Sequence, residues 1–599
     1  MQGTRIPAKV FPRKSRSALI SLIAGATVLA QPLHAQTVAA PTREALQVAP
    51  PPRAVAGASH LTVAGDIERG PCPLADPAYA AVKVSFRSVQ FVGLEAVPAE
   101  DLAPAWSAWA GREIPIAELC EVRDRAATIL REKGFLAAVQ VPPQRIEPDG
   151  TVRMDVLLAR LVDVEVHGNP GHAERLIAAH LRRLTAQRWF NVNAAERHLL
   201  LLRDLPGFDV RLILRPAGSA PGEVVGEVEV KRQPIELVAS VQNLGSSATG
   251  PGGGFVQVIL NDVTGLGDRT VLSLYNTADT REQTVVQLAH DLALGADGLR
   301  LGGKLLYQTG HPSLGAGDFR TETKLGQVNL QYPIVRRQAM SLNGILGFEA
   351  IDQKVDFGAT HLSRDRLRVG FVRIDADAAD RASLRSAGGY TAGEPRWHAA
   401  GTLELRQGIA GFGASPRCLP ITLCLAPNVG ISNIYANPAA FVARFESAFE
   451  YRPTPDVTLA FAPRAQYSAS ELLGYEQFSL GNYTIGRGFD PGTLQGDSGV
   501  GSSLELRVGR LTPKSEKAVT IQPFVFVDAA WTWTNDGGIT PDPRHLWSAG
   551  GGVRARWGDH ADFNLALAIP LERAGFQTKR GAVRVLFTVT TRLVPWSES

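Results

Sequence analysis

Near the C-terminus the segment AVRVLFTVTTRLV alternates: Val583, Val585, Phe587, Val589 and Leu593 share one face, and Arg584, Thr588, Thr590 and Arg592 share the other. A two-residue period is the signature of a strand with one apolar face. From about Ile235 onward helical periodicity fades, and segments of this kind recur between turn clusters. A soluble sandwich strand has the same texture. So many such segments in one exported chain, with Arg, Thr and Gln on the second face, favour a membrane barrel with a wet lumen. Spanning strands need about 9–11 residues each, so the final ~365 residues hold about sixteen, at roughly 23 residues per strand and connection. A transmembrane antiparallel β-barrel of about sixteen strands is therefore expected over 234–599.

Export is read from the other end of the chain. Arg5, Lys9, Arg13, Lys14 and Arg16 precede the apolar run ALISLIAGATVLA, with the small residue Ala35 shortly after it. A basic stretch, a short apolar run and a small residue describe a secretory signal, here residues 1–35. The alternative is an anchor helix, but the run is short for a bilayer span. Residues 36–80, rich in Ala, Pro and Thr around APPPRAV, read as an exposed linker. A formal net charge of +4, with 20% charged residues, gives no sign of nucleic-acid binding. Export permits disulfides. The four cysteines allow three connectivities, and the local choice pairs Cys72 with Cys120 and Cys418 with Cys424.

Between linker and barrel the texture is mixed. Val84, Phe86, Val89 and Phe91 suggest a strand ended by Gly93, and Leu119, Val122, Ala126, Ile129 and Leu130 mark one helical face stopped by Gly134. Two short strands follow around Pro148-Asp149-Gly150. The order then recurs: the strand LVDVEVHG, a helical stripe through Ile177, His180, Leu181 and Leu184, a second helix opened by Asn193 and Glu196 as a capping box, and two strands across a Gly/Pro-rich turn. Two copies of a roughly 75-residue unit argue for tandem α+β modules, placed at 81–160 and 161–233.

Three motifs could carry catalysis. GLRLGGK, ending at Lys304, has phosphate-loop spacing, but Leu305 stands where a Mg²⁺-binding hydroxyl is required and no helix follows. GDSGV with His180 imitates a serine-protease pair, yet the two fall in different proposed domains and His180 lies on an apolar helical stripe. Acidic residues abound near Asp490 without singling out a hydrolase pair. No catalytic, cofactor or metal site emerges.

Five further segments are similar to the transporters of two-partner secretion, the hemolysin secretion/activation family of the outer-membrane assembly superfamily. REKGFLAAVQVPPQRIEPDGTVRMDVL resembles the end of that family's first polypeptide-transport-associated (POTRA) domain, and LRDLPGFDVRLILRPAGSAPGEVVGEVEV its second. VQNLGSSATG with LNDVTGLGDR resembles the first barrel hairpin, FVFVDAAWTW a later strand motif around Asp528, and FSLGNYTIGRGFDPGTLQGDSG the signature loop, placed at 478–500 and folded inward. The resemblance implies a bacterial outer-membrane barrel with two periplasmic POTRA domains. It implies a secreted, hemolysin- or adhesin-like exoprotein as partner, bound through an amino-terminal secretion domain. It also implies contact with outer-membrane lipid, a monomeric barrel and no enzyme activity.

In such transporters the signature loop turns back into the lumen and sets its Arg against a wall Asp, here Arg487 and Asp528. Gly486, Gly488, Phe489, Asp490, Gly496 and Gly499 complete the loop motif. An Arg fork matches a carboxylate in two parallel bonds, so the pair is read as a positioning device. The chain departs from the family at Gly486, where valine is usual, and at Ala530, where glycine is usual. The family's amino-terminal plug helix has little room between Pro41 and the triple proline. The chain ends LVPWSES, leaving Phe587 and Trp596 as candidates for the terminal aromatic. A barrel-assembly factor and a passive porin are the rival readings.

Overall fold

The computed structural model describes residues 41–46, 61–63 and 72–596, apart from 149, 219, 315–316, 425–429, 516, 539, 575–576 and 578. The expected signal peptide, 1–35, lies outside the described residues.

The first α+β module is a four-stranded sheet covered by one helix. Strand Lys83–Val92 runs beside Glu113–Pro115 on one side and parallel to Gly150–Leu158 on the other, with Ala137–Gln140 outermost. Helix α1 (Glu118–Glu132) buries Leu119, Val122, Ala126 and Leu130 against Phe86, Val152 and Met154, as three- and four-residue spacing requires. Cys120 on this helix is bonded to Cys72, across 48 residues of sequence.

The second module places Glu223–Arg232 between Arg160–Gly168, parallel, and Phe208–Pro216, antiparallel. Helices α2 (Glu174–Thr185) and α3 (Val192–Arg203) cover this sheet. Two expectations need correction here. The cap of α3 is Asn191 rather than Asn193: its extended backbone lets its side-chain oxygen accept from the backbone N of Asn193 (3.0 Å) and Ala194 (3.3 Å). Glu196 instead accepts from the backbone N of Gln338 at 2.7 Å. And Leu61–Val63, expected in a linker, adds a parallel strand to Phe208–Pro216, with Thr62 opposite Ile213. Leu61–Val63 thus forms one edge of the sheet, and the longer strand Arg160–Gly168 forms the other.

The barrel has sixteen strands, the number expected: β1 (Ile235–Gln242), β2 (Gly253–Asn261), β3 (Arg269–Thr277), β4 (Gln283–Ala293), β5 (Arg300–Gly310), β6 (Gly317–Arg336), β7 (Met340–Phe357), β8 (Thr360–Ala379), β9 (Trp397–Gly408), β10 (Phe441–Thr454), β11 (Val457–Tyr467), β12 (Ser498–Val508), β13 (Val519–Trp533), β14 (Arg544–Trp557), β15 (Ala561–Pro570) and β16 (Arg584–Val594). Each pairs antiparallel with the next, and β16 closes on β1, Thr590 opposite Ser240. Closure removes the unpaired edges that an open sheet would expose in lipid. Outward positions such as Leu272, Leu274, Leu305, Leu346, Leu504 and Leu565 are exposed, whereas inward Gln257, Ser273, Gln308 and Thr323 are buried. This is the inverted pattern of a barrel in a bilayer. Val583, Val585, Phe587 and Leu593, the face from which the barrel was read, are among the exposed apolar residues.

The second module docks on the mouth where the β2–β3, β4–β5 and β6–β7 turns lie. Arg336 forks onto Asp204 at 2.6 and 2.7 Å, Arg197 donates to the carbonyl of Pro333 at 2.8 Å, and Arg232 to that of Asp262 at 2.9 Å.

Candidate functional site

Between β11 and β12 the chain turns into the bore as a hairpin, Phe478–Leu480 paired with Leu494–Gly496. Its tip is held by bonds of its own, Gly481 N to Ile485 O (2.9 Å) and Phe489 N to Gly486 O (2.9 Å). Phe489, 2% exposed, joins Phe478, Leu480, Ile485 and Leu494 against Ala530 and Leu546 of the wall. Apolar burial thus glues the hairpin to β13 and β14 before any charge is counted.

Arg487 is then brought onto Asp528. Its Nε donates to Oδ2 at 3.1 Å and Nη2 to Oδ1 at 2.7 Å, the side-on fork, while its backbone N donates to Oδ2 at 2.9 Å. The guanidinium stacks over Phe526 at 3.5 Å and also reaches Ser503 (2.6 Å) and Glu505 (2.5 Å). Asp528, fully buried, takes a further bond from Ser548 at 3.2 Å. So dense a set of charge-assisted bonds fixes the loop in place and orientation.

The glycines explain the close approach. Gly486 has φ +111°, and a Cβ there would sit 2.6 Å from Leu546; at Gly488 it would meet the backbone N of Pro570 at 2.7 Å. The valine usual at 486 would be both strained and blocked. Gly496 and Gly499 back onto Trp533 and Phe478 with equally little room. Asp490 turns the other way, accepting from Ser247 Oγ (2.7 Å) and pairing with Arg584 (2.6 Å), so that the tip is tied to both ends of the barrel sequence.

Glu505 was not singled out from sequence. It sits among Arg487, Arg507 and Arg554, and Arg507 passes the chain of contacts to Glu450 and thence Arg452. A second lattice lines the adjoining wall, β7 to β10: Arg406 meets Glu349 (2.6 Å), Glu404 (3.2 Å) and Glu476 (2.7 Å), and Arg444 meets Glu476 (2.7 Å) and Glu404 (3.6 Å). Partners in these lattices lie up to 70 residues apart in sequence, so spacing could not reveal them. The available signal was charged residues at inward parity of apolar-outward strands.

Residues 41–46, expected in an exposed linker, are instead inside this lattice. Thr42, Glu44 and Leu46 are 7%, 8% and 3% exposed. Gln353 donates to the carbonyl of Pro41 (3.0 Å), Arg43 reaches Glu404 and Glu446 (3.9 Å each), and Arg464 reaches Glu44 (3.6 Å) and Glu446. Within these described residues the chain makes one 3₁₀ turn, Glu44–Leu46. Two side chains of opposite charge, each finding a complement on the wall, hold it there.

Cys418 and Cys424 are bonded to each other, both buried in the loop joining β9 and β10, which contributes Ile431 and Ala436 to the apolar cluster inside the barrel. His180 is buried in α2 of the second module, while Ser498 opens β12; nothing brings them together. Lys304 lies on β5, facing the bore.

Comparisons with known proteins agree with this architecture. Residues 372–555 match the model of the haemolysin secretion/activation protein ShlB/FhaC/HecB, and residues 84–158 that of the POTRA domain, ShlB-type. The heme/hemopexin transporter protein HuxB of Haemophilus influenzae is 24% identical over 185 residues, 30% of this chain. That match spans about a third (32%) of the relative's own length. Among solved structures, CdiB from Escherichia coli superposes with a TM-score of 0.65 at 16% identity, over 87% of this chain and 94% of that one. CdiB from Acinetobacter baumannii gives 0.58 at 16%, over 89% and 94%. BamA from Haemophilus ducreyi lacking POTRA domains 1–3 gives 0.50 at 16%, over 86% and 100%. At these identities the superpositions show the shared fold. The two family matches show a haemolysin secretion/activation-type region within the barrel and a ShlB-type POTRA domain ahead of it, and the superpositions show that the whole shares the POTRA-plus-barrel fold.

Proposed function

We propose that this chain exports a large hemolysin- or adhesin-like partner protein from the periplasm to the cell surface by two-partner secretion, as a single barrel. The observation that carries the reading is the inward hairpin latched by Arg487 to Asp528 in a polar bore that opens beneath two POTRA modules, 81–160 and 161–233. The partner's amino-terminal secretion domain, in extended form, is received by the modules. The open strand edge Arg160–Gly168 offers main-chain bonding, and the groove between it and α2, lined by Val164, Val166, Ile177 and Leu181, offers apolar pockets. No segment of the reading requires a nucleotide; folding of the partner outside the membrane supplies direction. For passage, residues 41–46 and the hairpin must leave their present positions or move aside within the bore.

The test is co-expression with an exoprotein carrying such a secretion domain, following its appearance outside the cell. Arg487→Ala is expected to lower export while the barrel still inserts in the outer membrane. Unchanged export would remove the role given to Arg487. Normal insertion with no export of any partner, coupled to falling levels of other outer-membrane barrels on deletion, would replace the reading with that of an assembly factor.

A further inference from the structure

The outward wall of β4 to β8 changes character at one level. Outward residues of β7 run Met340, Leu342, Gly344, Leu346 and Phe348 from the POTRA side, then Ala350, Asp352 and Lys354. The neighbouring strands switch in register. Gly326 lies opposite Ala350 and Lys324 opposite Asp352 on β6, while Arg368 and Arg366 oppose the same two residues on β8. A tilted strand climbs roughly 2.5 Å per residue along the membrane normal, so about ten apolar residues span a band near 25 Å. The switch therefore falls at the outer edge of the hydrocarbon, where outer-leaflet head groups begin.

At that level the wall is hollow. A groove of about 520 Å³ opens outward over Gly326, which has no side chain, and Ala350, which has only a methyl, leaving Leu288 and Leu305 as its floor, with Tyr307, Lys324 and Arg368 on its rim. Five cations (Lys324, Lys354, Arg364, Arg366 and Arg368) stand at or above the groove against two carboxylates, Glu322 and Asp352. Asp352 is taken by Arg364 (2.9 and 2.5 Å) and Glu322 by Lys324 (2.7 Å). Arg366 and Arg368 form no ion pair among the described residues. Arg368 donates to the backbone carbonyls of Ile351, Leu367 and Phe412, and Arg366 leaves its Nε without a partner. Elsewhere the extracellular strand ends turn Phe441, Tyr467, Trp533 and Val585 outward, so the cationic sector is local. Beside it Phe412, 80% exposed and held at φ +51°, packs its ring edge-on to outward Phe348 at 6.1 Å. A bulky residue in the left-handed region is an outlier that the surroundings must sustain.

We propose that this groove binds one phosphate-bearing, acylated lipid of the outer leaflet. An acyl chain lies over Gly326 and Ala350, and the phosphate meets Arg366, Arg368 and Lys324. Guanidinium forks suit a phosphate, and the floor removes an acyl chain from looser bilayer contacts.

The test uses the full chain, purified and delipidated in detergent, with bis-phosphorylated lipid A, dephosphorylated lipid A and phosphatidylethanolamine as probes, retention being read by native mass spectrometry. The parent is expected to retain bis-phosphorylated lipid A in preference to the other two. Lys324→Glu with Arg366→Glu should weaken retention at least tenfold. Gly326→Leu, whose Cβ would make only an ordinary 3.7 Å contact with Leu305, should do the same by filling the groove while every cation stays in place. Folding of each variant is checked by the heat-dependent mobility shift of the barrel. Retention by Gly326→Leu equal to the parent's, or equal retention of dephosphorylated lipid A or phosphatidylethanolamine by the parent, overturns the proposal.

Discussion

Removing the guanidinium at 487 tests how firmly the inward hairpin is latched. Arg487→Ala deletes the fork to Asp528, the contacts to Glu505 and Ser503 and the stacking on Phe526, and leaves Asp528 with only the backbone N of residue 487 and Ser548. Breaking a buried ion pair costs about 3–5 kcal/mol; the side chain of Arg487 is 18% exposed, so the lower end, about 3 kcal/mol, applies. At about 1.4 kcal/mol per decade, the open fraction of the loop should rise on the order of 100-fold. All four native cysteines are paired, so one introduced thiol is unique. Ala530→Cys, on the wall beneath the hairpin and fully buried, reacts with a maleimide only when the loop lifts. Its labelling rate should increase by that factor in the Arg487→Ala background. It should stay unchanged with Arg510→Ala, which breaks an exposed pair to Asp456 and a bond to the carbonyl of Gly389, both away from the hairpin. A rate within threefold of the parent would refute the assignment of Arg487 as the latch.

Gly488→Ala should free the same thiol, because its Cβ would lie 2.7 Å from the backbone N of Pro570, whereas Gly252→Ala, with open space around it, should not. Replacing Cys72 and Cys120 together by Ser should lower the stability of the first module by up to about 4 kcal/mol, the closure entropy of a loop of 48 residues, read by hydrogen exchange in the full chain. Burial, with His198 nearby, pushes the pKa of His180 from 6.5 down to about 4. The folded second module thus favours the neutral ring. Its stability is full above about pH 6.5 and declines between there and pH 4, by ~3 kcal/mol in total. Exchange protection in α2 should fall across that window in the parent and not in His180→Leu.

What could be read in advance followed from short-range patterns. The barrel announced itself through two-residue alternation, since lipid and lumen impose opposite polarity on successive side chains, and Val583, Val585 and Phe587 show it plainly. The helices of both modules followed from stripes such as Leu119, Val122 and Ala126. The Arg487–Asp528 pair was legible only through resemblance to a family, because no local rule connects residues 41 apart. Glu505, Arg406 and Glu476 were missed for the same reason. The six residues 41–46 were misread because composition around them is that of a linker, and their placement depends on Glu404, Glu446 and Arg464, far along the chain. The sequence pattern points to Asn193, two residues beyond the cap that Asn191 provides, a shift typical of helix ends.

The two lumen lattices share a property that neither shows alone. The first links Arg43, Arg406, Arg444 and Arg464 to five glutamates, and the second links Arg452, Arg487, Arg507 and Arg554 to three carboxylates, so eight positive groups face eight negative ones. Fixed charge that cancels in this way leaves little net potential along the axis. An acidic and a basic stretch of polypeptide would then meet similar electrostatic resistance, and small cations and anions would leak through an unlatched conduit with weak preference for either sign.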